Sequence, residues 1–194
     1  MDVQLKFCSD RQLMLDAIRL CWKSGDKSDN FGPVDQSLIR NILKRGHTST
    51  LEHSLYTFHI VGVSRALLQE LARHRIGIGI SVESTRYTLK RILNGEKFEE
   101  ILINTEDDDL NELIFSHFRK LVRLIKQKKL TNDIAKYGIT ENYPVTLQMS
   151  FNARSLRHFI QLRSSKAAFK EIRKLANNFK DLIPNDHMIF FEDI

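Results

Sequence analysis

The chain has 194 residues, 42% of them hydrophobic, and a formal charge of +6 from 30 basic and 24 acidic side chains. That is chain enough for one domain with a sizeable core, and it holds no apolar run near the ~20 residues that span a bilayer. A pI near 9.4 favours anionic partners, either phosphorylated small molecules or nucleic acid.

Met1-Asp2-Val3-Gln4 lacks the basic and apolar blocks of a signal peptide, and Cys8 and Cys21 have no metal-ligand spacing, as expected of reduced thiols in a cytoplasmic protein. Val3 to Phe7 reads as a first strand. Ser9 followed by Gln12 predicts a capping box that opens a helix, with Leu13, Leu15, Ile18, Cys21 and Trp22 toward its buried side. Residues 23–33 have loop composition. A second helix from about Val34 carries Leu38, Ile39, Ile42 and Leu43 at helical spacing and ends at Gly46. No chemistry is assigned to these helices.

A loop, His47-Thr48-Ser49-Thr50-Leu51-Glu52-His53, precedes the alternation of Tyr56, Phe58 and Ile60 with Thr57, His59 and Val61, a strand signal. The loop has no acidic cluster to make a metal site. Ser64 is placed to cap a helix from Arg65 to Arg75, in which Glu70 lies three and four residues before Arg73 and His74. Beyond it, Gly77 and Gly79 allow close backbone approach, and Ser84 and Arg86 point the same way if that stretch is extended. A Gly-x-Gly without its third glycine is no dinucleotide turn.

From Tyr87 to Asn104 the pattern suggests strand pieces about a turn at Asn94-Gly95. Thr105 is placed to cap a helix with an acidic first turn and an apolar stripe of Leu110, Leu113, Ile114, Phe118, Leu121 and Ile125. The basic residues at its far end, Arg119 to Lys129, suit a helix C-terminus as a solvated face and also suit nucleic acid. In the last third, Leu156, Phe159, Ile160, Arg163 and Ala167 recur at helical spacing, which puts Arg163 on the apolar side, where it needs an anionic or carbonyl partner. Residues 172–191 read as an amphipathic helix, a stop at Pro184 and a short apolar end.

Three stretches carry a resemblance: Gly46-His47-x-Ser49-x-Leu51-Glu52-His53, then Arg73-His74-Arg75 with Ser84-x-Arg86-Tyr87, then Asn152-Ala153-Arg154 with Phe159-x-x-Leu162-Arg163. Together, and in this order, they resemble the flavin-dependent thymidylate synthases. Eight residues, Ile76 to Glu83, separate Arg75 from Ser84, one more than the family's usual spacing, so either Val82 or Glu83 takes the position near substrate. Lys136 stands near the place of a family arginine, and the family's His-Ala-Gln-Trp-Glu becomes Ala167-Ala168-Phe169-Lys170-Glu171.

The resemblance implies an α/β (α+β type) single domain, residues 1–194, with helices packed on a mainly antiparallel central sheet and no Rossmann turn. It implies a homotetramer with active sites between subunits. The implied reaction is reductive methylation of dUMP to dTMP, with 5,10-methylenetetrahydrofolate as carbon donor, NADPH as reductant and FAD as cofactor. Carried over by position, Arg65, Glu70, Ser84, Arg86 and Arg163 bind dUMP, with Arg163 also catalytic by polarising the uracil ring. His53, Arg73, His74, Arg75, Asn152, Arg154 and His158 contact flavin, and no metal is implied. Cys8 and Cys21 lie outside every motif, and Ser84 reads as a binder, so no protein nucleophile is expected. The alternatives from other classes are a basic nucleic-acid-binding module and a helical interaction protein without catalysis, in which an internal carboxylate satisfies Arg163.

Overall fold

A computed structural model describes residues 1–89 and 98–194. Four strands, β1 (Asp2–Cys8), β2 (Leu55–Ser64), β3 (Ile78–Val82) and β4 (Pro144–Asn152), form one antiparallel sheet in the order β1-β2-β4-β3. The pairing of β3 with β4 shows the sense. Asn152 donates its N–H to Gly77 O (2.9 Å) and Glu83 donates to Thr146 O (2.8 Å), so one strand advances as the other recedes. The α/β class with an antiparallel sheet is therefore as expected.

The described helices are α1 (Gln12–Cys21), α2 (Pro33–Lys44), α3 (Arg65–Leu71), α4 (Thr85–Thr88), α5 (Phe98–Ile101), α6 (Asp108–Lys128), α7 (Asn132–Ala135), α8 (Ala153–Arg163) and α9 (Lys170–Asp181). None of these is long and apolar enough to cross a membrane. The chain divides into two compact units: Met1–Asp2, Ile60–Arg73 and Ser81–Leu147 make the first, and Val3–His59, His74–Ile80 and Gln148–Ile194 the second.

The first unit packs Leu89, Leu102, Phe118, Ile125, Ala135 and Tyr143 into one core beneath α6. The second is built on aromatic rings. Phe58 stacks on Phe179 at 4.2 Å between centroids, and Phe151 and Phe159 meet that pair at 5.5 to 6.3 Å. In that same unit Tyr56 lies edge-on to both His187 and Phe191. Such contacts each add about 1 kcal/mol to the burial of area.

Several local expectations are corrected. Ser9 is no cap: its Oγ accepts from Leu55 N–H, and Asp10 takes Gln12 N–H instead. Met14, Leu15 and Ile18 are the buried face of α1, while Leu13, Cys21 and Trp22 are exposed. Helix α3 stops at Leu71, short of Arg75. Asp107, not Thr105, caps α6 by accepting from Leu110 N–H at 2.8 Å, because Thr105 is occupied with Asn111. Leu110 and Leu113 are exposed. The described parts of residues 87–104 hold short helices, α4 and α5, rather than strands, and the Asn94-Gly95 turn lies outside the described residues. The last helix ends at Asp181, and a 3-10 turn, Asn185–Phe190, follows Pro184.

Candidate functional site

In the first unit the residues singled out for nucleotide lie on α3, α4 and their flanks. Helix α3 starts cleanly because Ser64 Oγ accepts from Leu67 N–H at 3.0 Å. Its first amides, Arg65 and Ala66, donate to Tyr143 O and Glu141 O at 3.1 and 3.0 Å, so the loop before β4 fixes where Arg65 and Glu70 project. Gln69 adds a bond to Glu141 (2.9 Å). Glu70 meets Arg73 at 3.2 Å just past the helix end, an exposed pair worth a few tenths of a kcal/mol.

Strand β3 ends at Val82 and Ser84 takes the N-cap position of α4, so Ser84 and Arg86 do not share the face of an extended strand. Arg86 instead folds onto α7. Its Nε meets Asp133 at 2.5 Å, its Nη2 at 3.1 Å, and Asn132 Nδ2 donates to Arg86 O at 2.5 Å. Glu83 N–H is paired with β4, and Val82 is exposed.

In the second unit the flavin candidates gather on α8 and the turn Thr48–His53. Asn152 caps α8 by accepting Ser155 N–H at 2.8 Å, and Ala153 N–H donates to Ser54 O at 2.9 Å, tying the helix start to the end of that turn. Arg154 crosses to Glu52 at 2.5 Å, an exposed ion pair. His53 and His158 are exposed. His74 lies against the other end of α8, its ring edge-on to Phe159 at 4.9 Å. Arg163 Nε donates to His74 Nε2 at 2.9 Å. An arginine Nε–H only donates, so this bond makes His74 Nε2 the acceptor and puts the imidazole proton on Nδ1.

Arg163 is half-buried at the last position of α8, and Ala167 lies beyond the helix. The deeply buried arginine of this helix is Arg157, whose Nη groups reach Asp193 at 2.7 and 2.8 Å and also Phe190 O. It lowers the Asp193 pKa through those hydrogen bonds, against a smaller opposing effect of burial. The sequence marked a buried arginine on this helix, but its partner lies 36 residues away and gave no local sign.

Glu52, Asp133 and Ser155 touch the candidate residues and were not singled out from sequence. The Glu52 signal was available, since it sits inside the His-containing motif. Asp133 had none, because its contact with Arg86 forms across 47 residues, and although Ser155 bonds locally to Asn152, its hydroxyl contact with Ile76 spans 79 residues.

The donor set suits a phosphate-bearing, ring-containing cofactor. Arg75 and His158 are exposed, and Thr50 Oγ1 and Ser164 Oγ are buried without a hydrogen-bond partner among the described residues.

Comparison with known proteins agrees with that chemistry. The family described as thymidylate synthase complementing protein matches residues 5–185. A flavin-dependent thymidylate synthase of Wolinella succinogenes is 45% identical over 184 residues, covering 90% of this chain and 89% of its own. One from Campylobacter jejuni is 42% identical, covering 99% and 96%. A crystal structure of thymidylate synthase X from Helicobacter pylori with FAD and dUMP superposes with a TM-score of 0.91 at 38% identity, covering 100% of this chain and 98% of that one. The chain belongs to the flavin-dependent thymidylate synthase family.

Proposed function

We propose that the chain forms dTMP from dUMP, with 5,10-methylenetetrahydrofolate as carbon donor, NADPH as reductant and FAD as cofactor. The observation that carries this reading is the full-length similarity to the Helicobacter pylori enzyme solved with FAD and dUMP. Bound FAD would supply the hydride chemistry, and the protein would orient and polarise.

Arg163 is the catalytic residue in this reading. Its Nη groups meet a uracil carbonyl and stabilise negative charge that develops on the ring, while His74 holds Nε and fixes the plane of the guanidinium. Arg65, Glu70, Ser84 and Arg86 bind the rest of dUMP, with Arg86 leaving Asp133 to meet phosphate. His53, Arg73, His74, Arg75, Asn152, Arg154 and His158 hold flavin. The assembly is a cytoplasmic homotetramer of single-domain subunits with active sites between them.

The test is dTMP formation by the purified protein with all three small molecules, read together with R163A. The reading requires turnover that disappears when either FAD or NADPH is left out and falls sharply in R163A. No dTMP from a folded, flavin-loaded tetramer would refute it. Colourless protein with steeply salt-dependent binding to DNA or RNA would support the nucleic-acid alternative.

A further inference from the structure

Residues 74–77 lie along α8 and are fastened to it at three points. At the helix start, Asn152 N–H donates to Gly77 O at 2.9 Å. One residue back, Ser155 Oγ–H donates to Ile76 O at 2.7 Å. At the helix end, His74 rests on Phe159 and accepts from Arg163. Arg75 lies between the second and third fastenings and is exposed.

The contact at Gly77 is close. A Cβ there would sit 2.4 Å from both Asn152 Nδ2 and Ser155 Oγ, and the backbone has φ +66, which a side chain rarely adopts. Glycine is therefore required both by conformation and by the two groups that hold it.

We infer that Ser155 is a positioning residue for flavin binding: its hydroxyl clamps the Ile76 carbonyl to α8 and so fixes the direction in which Arg75 and His74 present their nitrogens. This rests on the proposed flavin role of His74 and Arg75. Two features support a positioning role over a merely structural one. Ile76 is 88% exposed, so its carbonyl would find water if the serine were lost, and the fold would barely notice. A flexible Arg75, by contrast, would have to be ordered each time the cofactor bound.

The test is the dissociation constant for FAD, measured by quenching of flavin fluorescence, in wild type, S155A, S155T and G77A, alongside Tm and the KM for dUMP at saturating FAD. S155A should weaken FAD about 3- to 10-fold, the range one hydrogen bond allows, with Tm changed by about 4 °C or less and the KM for dUMP unchanged. S155T, which keeps the hydroxyl, should bind FAD as wild type does. G77A should weaken FAD more than S155A, because it pushes the segment off the helix. An S155A protein with wild-type FAD affinity would overturn the inference, as would S155T failing to rescue or dUMP affinity falling in parallel. If wild type itself holds no FAD, the proposed function fails and takes this inference with it. If wild type holds FAD and S155A is indifferent, only the role of Ser155 fails.

Discussion

Two regions of the second unit handle arginine in opposite ways. At the junction of α1 and α2, Arg19 is buried and each of its three nitrogens is hydrogen-bonded. Its Nε meets Asp35 at 2.8 Å, while its Nη groups reach Ser24 Oγ at 3.2 Å, Lys27 O at 3.3 Å and Asp35 again. Asp35 also accepts from Ser28 Oγ and from the amides of Asp29 and Phe31. Around α8, apart from the buried Arg157, Arg75 is exposed and Arg154 has an exposed partner. A charge taken out of water must have every bond supplied by the protein, whereas a charge intended for an anionic ligand has to stay reachable. The first region organises a loop, and the second offers its cations outward.

Breaking the first region should have the largest effect on stability. R19A leaves a buried carboxylate unpaired and should cost about 3–5 kcal/mol, read as a fall in Tm of roughly 10 °C or more. Below that lower Tm, FAD affinity should be unchanged. The Asp35 carboxyl is pushed up by burial, but hydrogen bonds from Arg19, Ser28 and Phe31 outweigh this and hold it down to about 2. Its folded pKa is below the unfolded value of about 3.9, so its contribution is fully present above that value and is lost as pH falls toward 2. Acid unfolding curves of D35N should lack that segment.

Next in size is R163A, which should lower kcat by about 10²-fold or more while moving Tm by only a few degrees, since the guanidinium is half-buried. A large loss of stability with kcat intact would make Arg163 a second Arg157.

His187 gives a smaller, pH-dependent effect. It is buried, hydrogen-bonded through Nδ1 to Tyr56 OH at 2.7 Å, and burial is the leading cause that lowers its pKa. A lowered histidine stabilises fully above the unfolded value of about 6.5, and the stabilisation fades as pH drops through the folded one. Tm should therefore fall from pH 7 toward 5, with a shallower slope in H187Q. S84A should raise the KM for dUMP several-fold yet leave measurable turnover, and its complete inactivity with intact dUMP affinity would point to a nucleophile. Smallest of all, D133N should change Tm by about 2 °C or less, because the Arg86 pair is exposed at 56% and 58%.

Strands β1 and β2 and the main helices were legible because their signals are local, whereas β3 and β4 were not read as strands. Tyr56, Phe58 and Ile60 alternate and are fully buried in β2, and Gly46, at φ +70, ends α2 as its position indicated. Caps were less legible. Ser9 and Thr105 have the right chemistry, but Leu55 and Asn111 compete for them from elsewhere in the chain. The motif residues were readable by resemblance, whereas their fastenings were not. Arg163 with His74 and Ser155 with Ile76 meet across 89 and 79 residues. Helical spacing also favoured Arg163 over Arg157 as the buried arginine, since periodicity marks a face and does not reveal which carboxylate folds back onto it.

The most direct measurement is the anaerobic visible spectrum of FAD-loaded protein mixed with NADPH, with and without dUMP. A flavin that stays bound, bleaches, and bleaches at a different rate when dUMP is present would put both ligands in one working site, as the account predicts. A folded protein that retains no flavin, or whose bound flavin NADPH cannot reduce, would contradict it.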